Sequence, residues 1–165
     1  MQKHRVKFEE VGKQNSTNIL EYVTPVNLST NTLVTIPVTR FNNEVYIGLE
    51  IRNLPVPQIH NNNSCIPVIP ACRLPKEIKN YKDLENFISK LDILGTRITN
   101  FGKLGEKFFP SVGVTPEQVY PYVVTLSEAN ENLKWVSINE LYNNLEIIKD
   151  GHLLISIVRL FHSIQ

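Results

Sequence analysis

The sequence has almost no excess of either charge. Its 17 lysines and arginines are balanced by 16 aspartates and glutamates, which leaves a net charge of +1. A protein with so little net charge has no global field that would draw it to nucleic acid or to an anionic membrane surface. Neither nucleic acid nor a membrane is therefore expected as a partner, and any site for a polyanion must be local.

Long apolar runs are also missing. The sequence has no segment that approaches the roughly 20 consecutive apolar residues needed for a membrane-spanning helix. The first residues, MQKHRVKFEEV, alternate charged and apolar side chains and lack the apolar centre of a secretory signal peptide. We therefore expect a cytoplasmic protein.

Cysteine is scarce. Cys65 and Cys72 are the two cysteines, and they stand seven positions apart in a proline-rich stretch without clustered histidines. This spacing suggests neither a zinc site nor a disulfide framework. We predict two reduced thiols with structural roles, and no cofactor.

The apolar residues, 42% of a 165-residue chain, are enough to bury well over half of the surface of the unfolded chain. The sequence contains no internal repeat, low-complexity tail or linker. We predict a single domain over residues 1–165, with its core in residues 32–164. The first 31 residues are predicted either as strands of this domain or as an arm that reaches a second subunit.

Four runs of alternating or β-branched residues predict strands in the first third of the chain. They are RVKFEEV (5–11), NILEYV (18–23), TLVTIPVTR (32–40) and EVYIGLEIR (44–52). Asn42 and Asn43 tolerate the left-handed backbone of a tight turn, so residues 32–52 are predicted to form a β-hairpin. The proline-rich segment that follows predicts a long loop with one short strand at 66–69.

Helical spacing is found in the second half of the chain. One amphipathic stretch is predicted as a helix that stops at Gly95. Its apolar residues recur at steps of three and four: Leu84, Phe87, Ile88, Leu91 and Leu94. Ser137 begins a capping box that predicts a short helix over 138–144, and Asp150 can cap a final helix with a broad apolar stripe.

Two more strands are predicted between these helices, at QVYPYVVTL (118–126) and LKWV (133–136). The order of elements is a set of strands, one helix, further strands and a closing helix. This order predicts an α/β (α+β) fold in which a mixed β-sheet lies between helical layers.

Three stretches occur in a fixed order over residues 32–164: EVYIGLEIRNLPVP, FFPSVGVTPEQVYPYVV and LKWVSINELYNNLEIIKDGHLLISIVRLFH. Together they resemble the Nudix family, in particular its branch that acts on ADP-ribose-like nucleotide sugars. In that branch the strand of the first stretch ends on an arginine that lines the nucleotide pocket, here Arg52. The second is similar to a Ser-Pro-Gly loop, with Val112 in place of the proline, and an acidic residue follows it, here Glu117. The third is similar to the closing Trp strand, short helix and long helix.

The resemblance ends at the family's signature, G-x5-E-x7-R-E-U-x-E-E-x-G-U, which forms a loop, a helix and a loop. The corresponding segment is IPACRLPKEIKNYKDLENFISKLDILGT, in which Cys72 stands at the first glycine. Gly95 is aligned with the closing glycine. The residues at the Arg-Glu and Glu-Glu positions are then Ile88, Ser89, Asp92 and Ile93.

The missing glutamates matter because this hydrolysis needs Mg²⁺, which takes closely placed oxygen ligands. Glutamates three or four residues apart on one helix face can converge on an ion. The acids of the predicted helix are Asp83, Glu85 and Asp92, and only Glu85 and Asp92 share a face, roughly 10.5 Å apart. They cannot hold one ion, and both lie opposite the apolar stripe, where solvated charge is ordinary. We predict a degenerate Nudix signature and no metal site.

Five residues are candidates for a ligand site: Glu50, Arg52, Arg73, Lys76 and Glu117. Arg52 either holds a phosphate through its forked donors or ends an edge strand in solvent. Arg73 and Lys76 stand where the family has a phosphate-facing loop and can bind an anion without a metal, with a solvated loop as the alternative. The resemblance makes Glu117 the candidate catalytic acid, although a turn that begins just before it favours an acid for dipole reasons alone.

Three hypotheses about function follow. The first is a non-catalytic Nudix-like module that binds a nucleotide or nucleotide sugar, or that binds a protein partner or a second copy of itself. The second is a metal-dependent hydrolase of a nucleoside diphosphate derivative such as ADP-ribose. Its Mg²⁺ site would be irregular and drawn from Glu50, Glu77, Glu106 and Glu117. The third is an interaction domain with a filled pocket and no small ligand.

Overall fold

The computed structural model describes residues 2–9, 17–24, 28–53, 65–110 and 116–164. The strands in these ranges are β1 (Gln2–Glu9), β2 (Thr17–Thr24), β3 (Leu28–Phe41), β4 (Glu44–Asn53), β5 (Cys65–Val68), β6 (Ala71–Pro75), β7 (Asp92–Ile93), β8 (Thr96–Lys103), β9 (Val119–Leu126) and β10 (Lys134–Ser137). The helices are α1 (Tyr81–Ile88), α2 (Ile138–Tyr142) and α3 (Gly151–Ile164), with a 3₁₀ turn at Leu145–Ile147. All seven predicted strands have an observed counterpart among them. Residues 54–64, which make up much of the predicted proline-rich loop, and the loop with Val112 lie outside the described residues.

Eight strands form one mixed sheet in the order β10-β4-β3-β9-β8-β7, with β5 paired to β4 and β6 paired to β3. The pairing of β3 with β9 is parallel, and the other pairings are antiparallel. β1 and β2 form a separate two-stranded antiparallel sheet. The predicted β-hairpin is confirmed as β3 and β4, and its turn residues Asn42 and Asn43 have the positive φ angles, 50° and 63°, that a two-residue turn requires.

Helices cover both faces of this sheet. Successive residues of a strand point to opposite faces, so Leu33 of β3 packs with Leu84 and Ile88 of α1. Val34 and Ile36 point the other way and pack in one cluster with Ile157 and Leu160 of α3. The predicted mixed sheet between helical layers is therefore confirmed. None of the described helices is long and apolar enough to span a membrane.

The first helix ends earlier than predicted. The stretch expected to stay helical as far as Gly95 leaves the helix at Ile88, and β7 follows at Asp92–Ile93. Leu94 and Gly95, with φ angles of 49° and 86°, form the two-residue turn between β7 and β8. Gly95 therefore serves a hairpin and does not stop a helix. The apolar spacing predicted the wrong helix end because Leu91 and buried Ile93 also fit the two-residue period of a strand.

The two C-terminal helices begin at the caps predicted from the sequence. The side chain of Ser137 caps α2 by accepting a hydrogen bond from the amide of Asn139 at 3.2 Å. Asp150 caps α3 through a 2.7 Å hydrogen bond from the amide of Leu153 to its Oδ1. These side chains satisfy amide groups that have no partner within their own helix. The short helix ends at Tyr142, two residues before the predicted end.

Candidate functional site

The structure places the predicted site residues on two faces of the sheet. Cys72 and Arg73 are successive residues of β6, so their side chains point in opposite directions. Cys72 lines a cleft together with Glu50 and Arg52. Arg73 instead forms an ion pair with Glu117. The register of β6 thus sends Arg73 to the other face, and neither Arg73 nor Glu117 lines the cleft that contains Arg52.

The cleft beside Arg52 has a volume of about 190 Å³. β3, β4 and β6 form one part of its wall, and the turn after α1 forms the rest. Its apolar lining residues are Pro70, Ala71, Leu91, Ile93 and Leu94, and its polar ones are Thr35, Glu50, Arg52, Cys72 and Asp92. Several strands and a hairpin turn thus bring polar side chains from distant parts of the sequence into one cleft. We call it the Arg52 cleft.

Arg52 and Glu50 form an ion pair in this cleft. They stand two residues apart on β4 and so lie on one face, with Nη2 of Arg52 2.8 Å from Oε2 of Glu50. The Glu50 side chain is 17% exposed and that of Arg52 is 41% exposed. Oε2 of Glu50 has no aligned hydrogen-bond donor among the described residues, so the contact is mainly one of charge. Glu50 contacts one terminal nitrogen of the Arg52 guanidinium group. That group has five N–H donors, so Glu50 leaves most of them for a ligand.

Cys72 contributes a neutral thiol to the same cleft. Burial raises the pKa of Cys72 above its ordinary value of 9.0, and the nearby positive charge of Arg52 opposes that rise. A raised pKa keeps the thiol protonated at neutral pH, so Cys72 is a poor nucleophile. Cys72 is a free thiol.

The acids of α1 lie away from this cleft or have other contacts. The Asp83 carboxylate accepts a hydrogen bond from the amide of Lys79 at 3.2 Å, while its own amide binds the Asn80 side chain at 2.9 Å. Glu85 is exposed on the helix. Asp92 lies on β7, so the predicted arrangement of Glu85 and Asp92 on one helix face is wrong. The cause is the early end of the helix, which leaves Asp92 at the rim of the Arg52 cleft.

The four glutamates proposed for an irregular metal site have separate surroundings. Glu50 pairs with Arg52, Glu117 with Arg73, and Glu106 with Lys103 at 2.6 Å, while Glu77 is exposed. Within the described ranges, three or more His, Cys, Asp or Glu side chains do not group in a way that could hold a metal ion.

Arg73 and Glu117 make a two-point contact. Nη1 of Arg73 lies 3.0 Å from Oε1 of Glu117, and Nη2 donates to Oε2 at 3.3 Å. Arg73 also donates to the carbonyl of Thr30, and the Thr32 hydroxyl donates to Glu117 at 2.5 Å. The Glu117 side chain is only 14% exposed. These contacts tie β6 and the segment before β9 to the start of β3.

Lys76, the remaining predicted residue, lies at a groove around the other end of α1. Lys79, Lys107 and Tyr120 also line this groove. Neither Lys107 nor Tyr120 was predicted from the sequence as a site residue. The sequence feature that pointed to Lys107 was the run KLGEK, in which a turn centred on Gly105 separates Lys103 from Lys107.

Comparisons with known proteins agree with the fold. The sequence matches no family model and no curated protein. Its structure resembles a crystal structure of an ADP compounds hydrolase with a TM-score of 0.58 and 10% sequence identity. The likeness covers 97% of this chain and 84% of that one. With the order of strands and helices described above, it shows that the chain has a Nudix-like fold.

Proposed function

We propose that this chain is a nucleotide-binding module of Nudix-like fold that does not hydrolyse its ligand. The observation that carries the proposal is the Arg52 cleft. Its wall has an accessible guanidinium group, and its lining residues include no carboxylate from α1. The Nudix resemblance implies that an arginine at this point of the strand lines a nucleotide pocket. The ADP compounds hydrolase of similar fold makes an ADP-containing compound the first ligand to test.

The chemistry of the cleft suits part of such a ligand. A guanidinium binds phosphate oxygens through two parallel donors, and Glu50 holds that of Arg52 against the wall from one side. The apolar side chains of Leu91, Ile93 and Leu94 offer a surface for a flat base or a sugar. A volume of about 190 Å³ is below the roughly 300–1,000 Å³ of complete small-molecule pockets. The cleft would therefore hold one moiety, with the rest of the ligand outside it.

The acids of α1 and the thiol of Cys72 support binding without hydrolysis. Lewis-acid catalysis at a diphosphate requires oxygen ligands that hold Mg²⁺ beside the phosphates. The Asp83 carboxylate is engaged at the helix start, and Glu85 is exposed. Cys72 lines the cleft, and its neutral thiol is a poor ligand for Mg²⁺.

The alternative function is hydrolysis with Glu117 as the catalytic acid and Mg²⁺ bound by other glutamates. Glu117 is held by Arg73 and Thr32 on the face of the sheet opposite Cys72. This placement favours a structural role for Glu117, so we place hydrolysis second. A third reading, a protein-interaction domain without a small ligand, is separated from both by the experiment below.

The test is isothermal titration of the full chain with ADP-ribose, ADP and ATP, with and without Mg²⁺, and product analysis of the same samples. Arg52→Gln is the test variant. Arg40→Gln is the matched control, because Arg40 is also on a strand and is exposed. We expect one of the nucleotides to bind without product formation, and the Arg52 variant to bind it roughly tenfold more weakly, since a charged hydrogen bond is lost.

Three other outcomes would contradict the proposal. Metal-dependent product formation that Glu117→Gln abolishes would favour the hydrolase. Equal losses of affinity in the Arg52 and Arg40 variants would place the ligand elsewhere. Failure of every nucleotide to bind would favour the interaction domain.

A further inference from the structure

A second cleft lies at the start of α1, away from the Arg52 cleft. It has a volume of about 180 Å³, and a broader groove adjoins it. Lys79 approaches it from the segment before α1, Tyr81 from the first turn of α1, Lys107 from the segment after β8, and Tyr120 from β9. We call this the lysine cleft and infer that it binds a phosphate group of a small ligand.

Lys107 is the cation that carries this inference. Its Nζ donates to Oε1 of Gln118 at 3.0 Å and lies 5.9 Å from the centre of the Tyr120 ring. The amide of Gln118 is neutral, so this hydrogen bond orients the ammonium group without cancelling its charge. Lys107 itself is exposed at the cleft. The Glu106 carboxylate also attracts Lys107, but its hydrogen bonds go to Lys103 and Tyr81. An oriented ammonium group without an ion pair among the described residues is suited to an anion.

Lys79 adds a second positive charge to the lining of the cleft. Its backbone amide donates to the Asp83 carboxylate at 3.2 Å, and its side chain is exposed at the cleft. Lys103 differs from both, because Glu106 lies 2.6 Å from its ammonium group and compensates its charge. Lys79 and Lys107 are therefore the cations on which the proposed site depends.

The two tyrosines fix the shape of the cleft. Their ring centres are 6.1 Å apart at an interplanar angle of 72°. Tyr81 donates to Glu106 at 3.2 Å, and Tyr120 donates to the same Gln118 oxygen as Lys107, at 3.1 Å. These contacts are made within the protein, so a ligand would meet walls that are already ordered, which lowers the entropy cost of binding.

The same arrangement favours a phosphate over a strand of nucleic acid. Sequence-independent binding of single strands relies on open aromatic faces on which bases stack. The Nζ of Lys103 lies over the ring of Tyr81, 4.2 Å from its centre, and occupies one such face. Tyr120 is half-buried. A compact oxyanion needs no stacking face, and the side-chain amide of Asn31, which lines the same cleft, can also donate to it.

The test uses the full chain, with inorganic phosphate and ribose 5-phosphate titrated separately at constant ionic strength in chloride. Lys107→Gln and Lys79→Gln are the test variants, and Lys107→Arg is the rescue variant. Lys134→Gln is the matched control, since Lys134 is an exposed lysine on β10. The thermal midpoint of each variant without ligand shows whether its fold is retained.

We expect Lys107→Gln to weaken binding roughly tenfold, the effect of losing a charged hydrogen bond. Lys107→Arg should restore most of the affinity, because it restores the charge. Binding of inorganic phosphate identifies the free ion as sufficient, whereas binding of ribose 5-phosphate alone identifies a phosphate ester as the ligand. Both results support the site.

Three results would overturn it. In the first, neither compound binds. In the second, Lys134→Gln weakens binding as much as Lys107→Gln, which would mean attraction by general charge. In the third, Arg52→Gln abolishes phosphate binding while Lys107→Gln does not, which would assign the phosphate to the Arg52 cleft. That third result would leave the proposed nucleotide-binding function standing and remove only the lysine cleft.

Discussion

Replacement of Arg73 by methionine tests whether the pair with Glu117 holds the fold together. Methionine keeps the length and apolar stem of arginine but removes the guanidinium group. Glu117 would then keep the hydrogen bond from Thr32 as its described contact, and the carbonyl of Thr30 would lose the donor that Arg73 provides. The Glu117 side chain, 14% exposed, would hold a poorly compensated negative charge.

The size of the effect follows from this partial burial. Exposed ion pairs contribute about 0–1 kcal/mol, whereas removal of one partner of a buried pair costs about 3–5 kcal/mol. Arg73 is 41% exposed, so solvent screens its charge and the value must lie between these limits. We expect a loss of about 2 kcal/mol in the free energy of unfolding. For a chain of this size, that corresponds to a fall of roughly 4–8 °C in Tm.

Urea and thermal denaturation measure this loss. The matched control is Arg40→Met, which should change stability by less than about 0.5 kcal/mol because Arg40 is exposed. Glu117→Gln and the double variant complete a double-mutant cycle. The double variant should lose less stability than the sum of the losses in the two single variants, because both remove the same ion pair. A loss for Arg73→Met no larger than that of the control would refute the structural role, and Glu117 would again be a candidate catalytic acid.

Three further predictions concern single contacts and one turn that stabilise the fold. Leu94→Asn should raise the free energy of unfolding by about 1 kcal/mol in urea denaturation, because asparagine tolerates the left-handed backbone of that turn better than leucine does; a decrease would mean that the apolar contacts of Leu94 matter more. Arg159→Met should lower the free energy by about 1–3 kcal/mol, since the Glu106 carbonyl loses its 2.6 Å donor, and an unchanged urea midpoint would contradict this. The Ser137 hydroxyl lowers the pKa of Glu44 below its ordinary 4.5, so Glu44 stabilises the fold above that value and loses its effect as pH falls through the lower folded-state pKa. Melting curves of Glu44→Gln and the unchanged chain should therefore converge on acidification, and a constant gap would refute the assignment.

Much of the fold was predictable because its strands either alternate apolar and polar residues or are rich in β-branched residues. The run TLVTIPVTR places apolar side chains on both faces of β3, as a strand between two helical layers requires. The end of α1 was not predictable from spacing, because Leu91 and Ile93 satisfy both a helical and a strand period. Only the pairing of Ile93 with Thr96 decides in favour of the strand, and that pairing is a tertiary contact.

The candidate site was predictable only in part. Glu50 and Arg52 stand two residues apart on a strand, and that spacing alone puts them on one face. The separation of Arg73 from Arg52 depends on the register in which Leu33 pairs with Cys72, which local sequence does not specify. Lys107 reaches its cleft because Arg159 of α3 binds the carbonyls of the preceding turn, a contact between distant parts of the chain.

The parallel pairing of β3 with β9 also bears on synthesis of the chain. Thr32 pairs with Val119 and Pro37 with Val124, so about half of the chain separates the two strands. During translation, one edge of β3 therefore stays without its partner until β9 has left the ribosome, and a long, apolar, unpaired edge is a template for association with other chains. Substitutions that weaken β9 should accordingly reduce the yield of soluble protein during expression more than they reduce the stability of the molecules that have already folded.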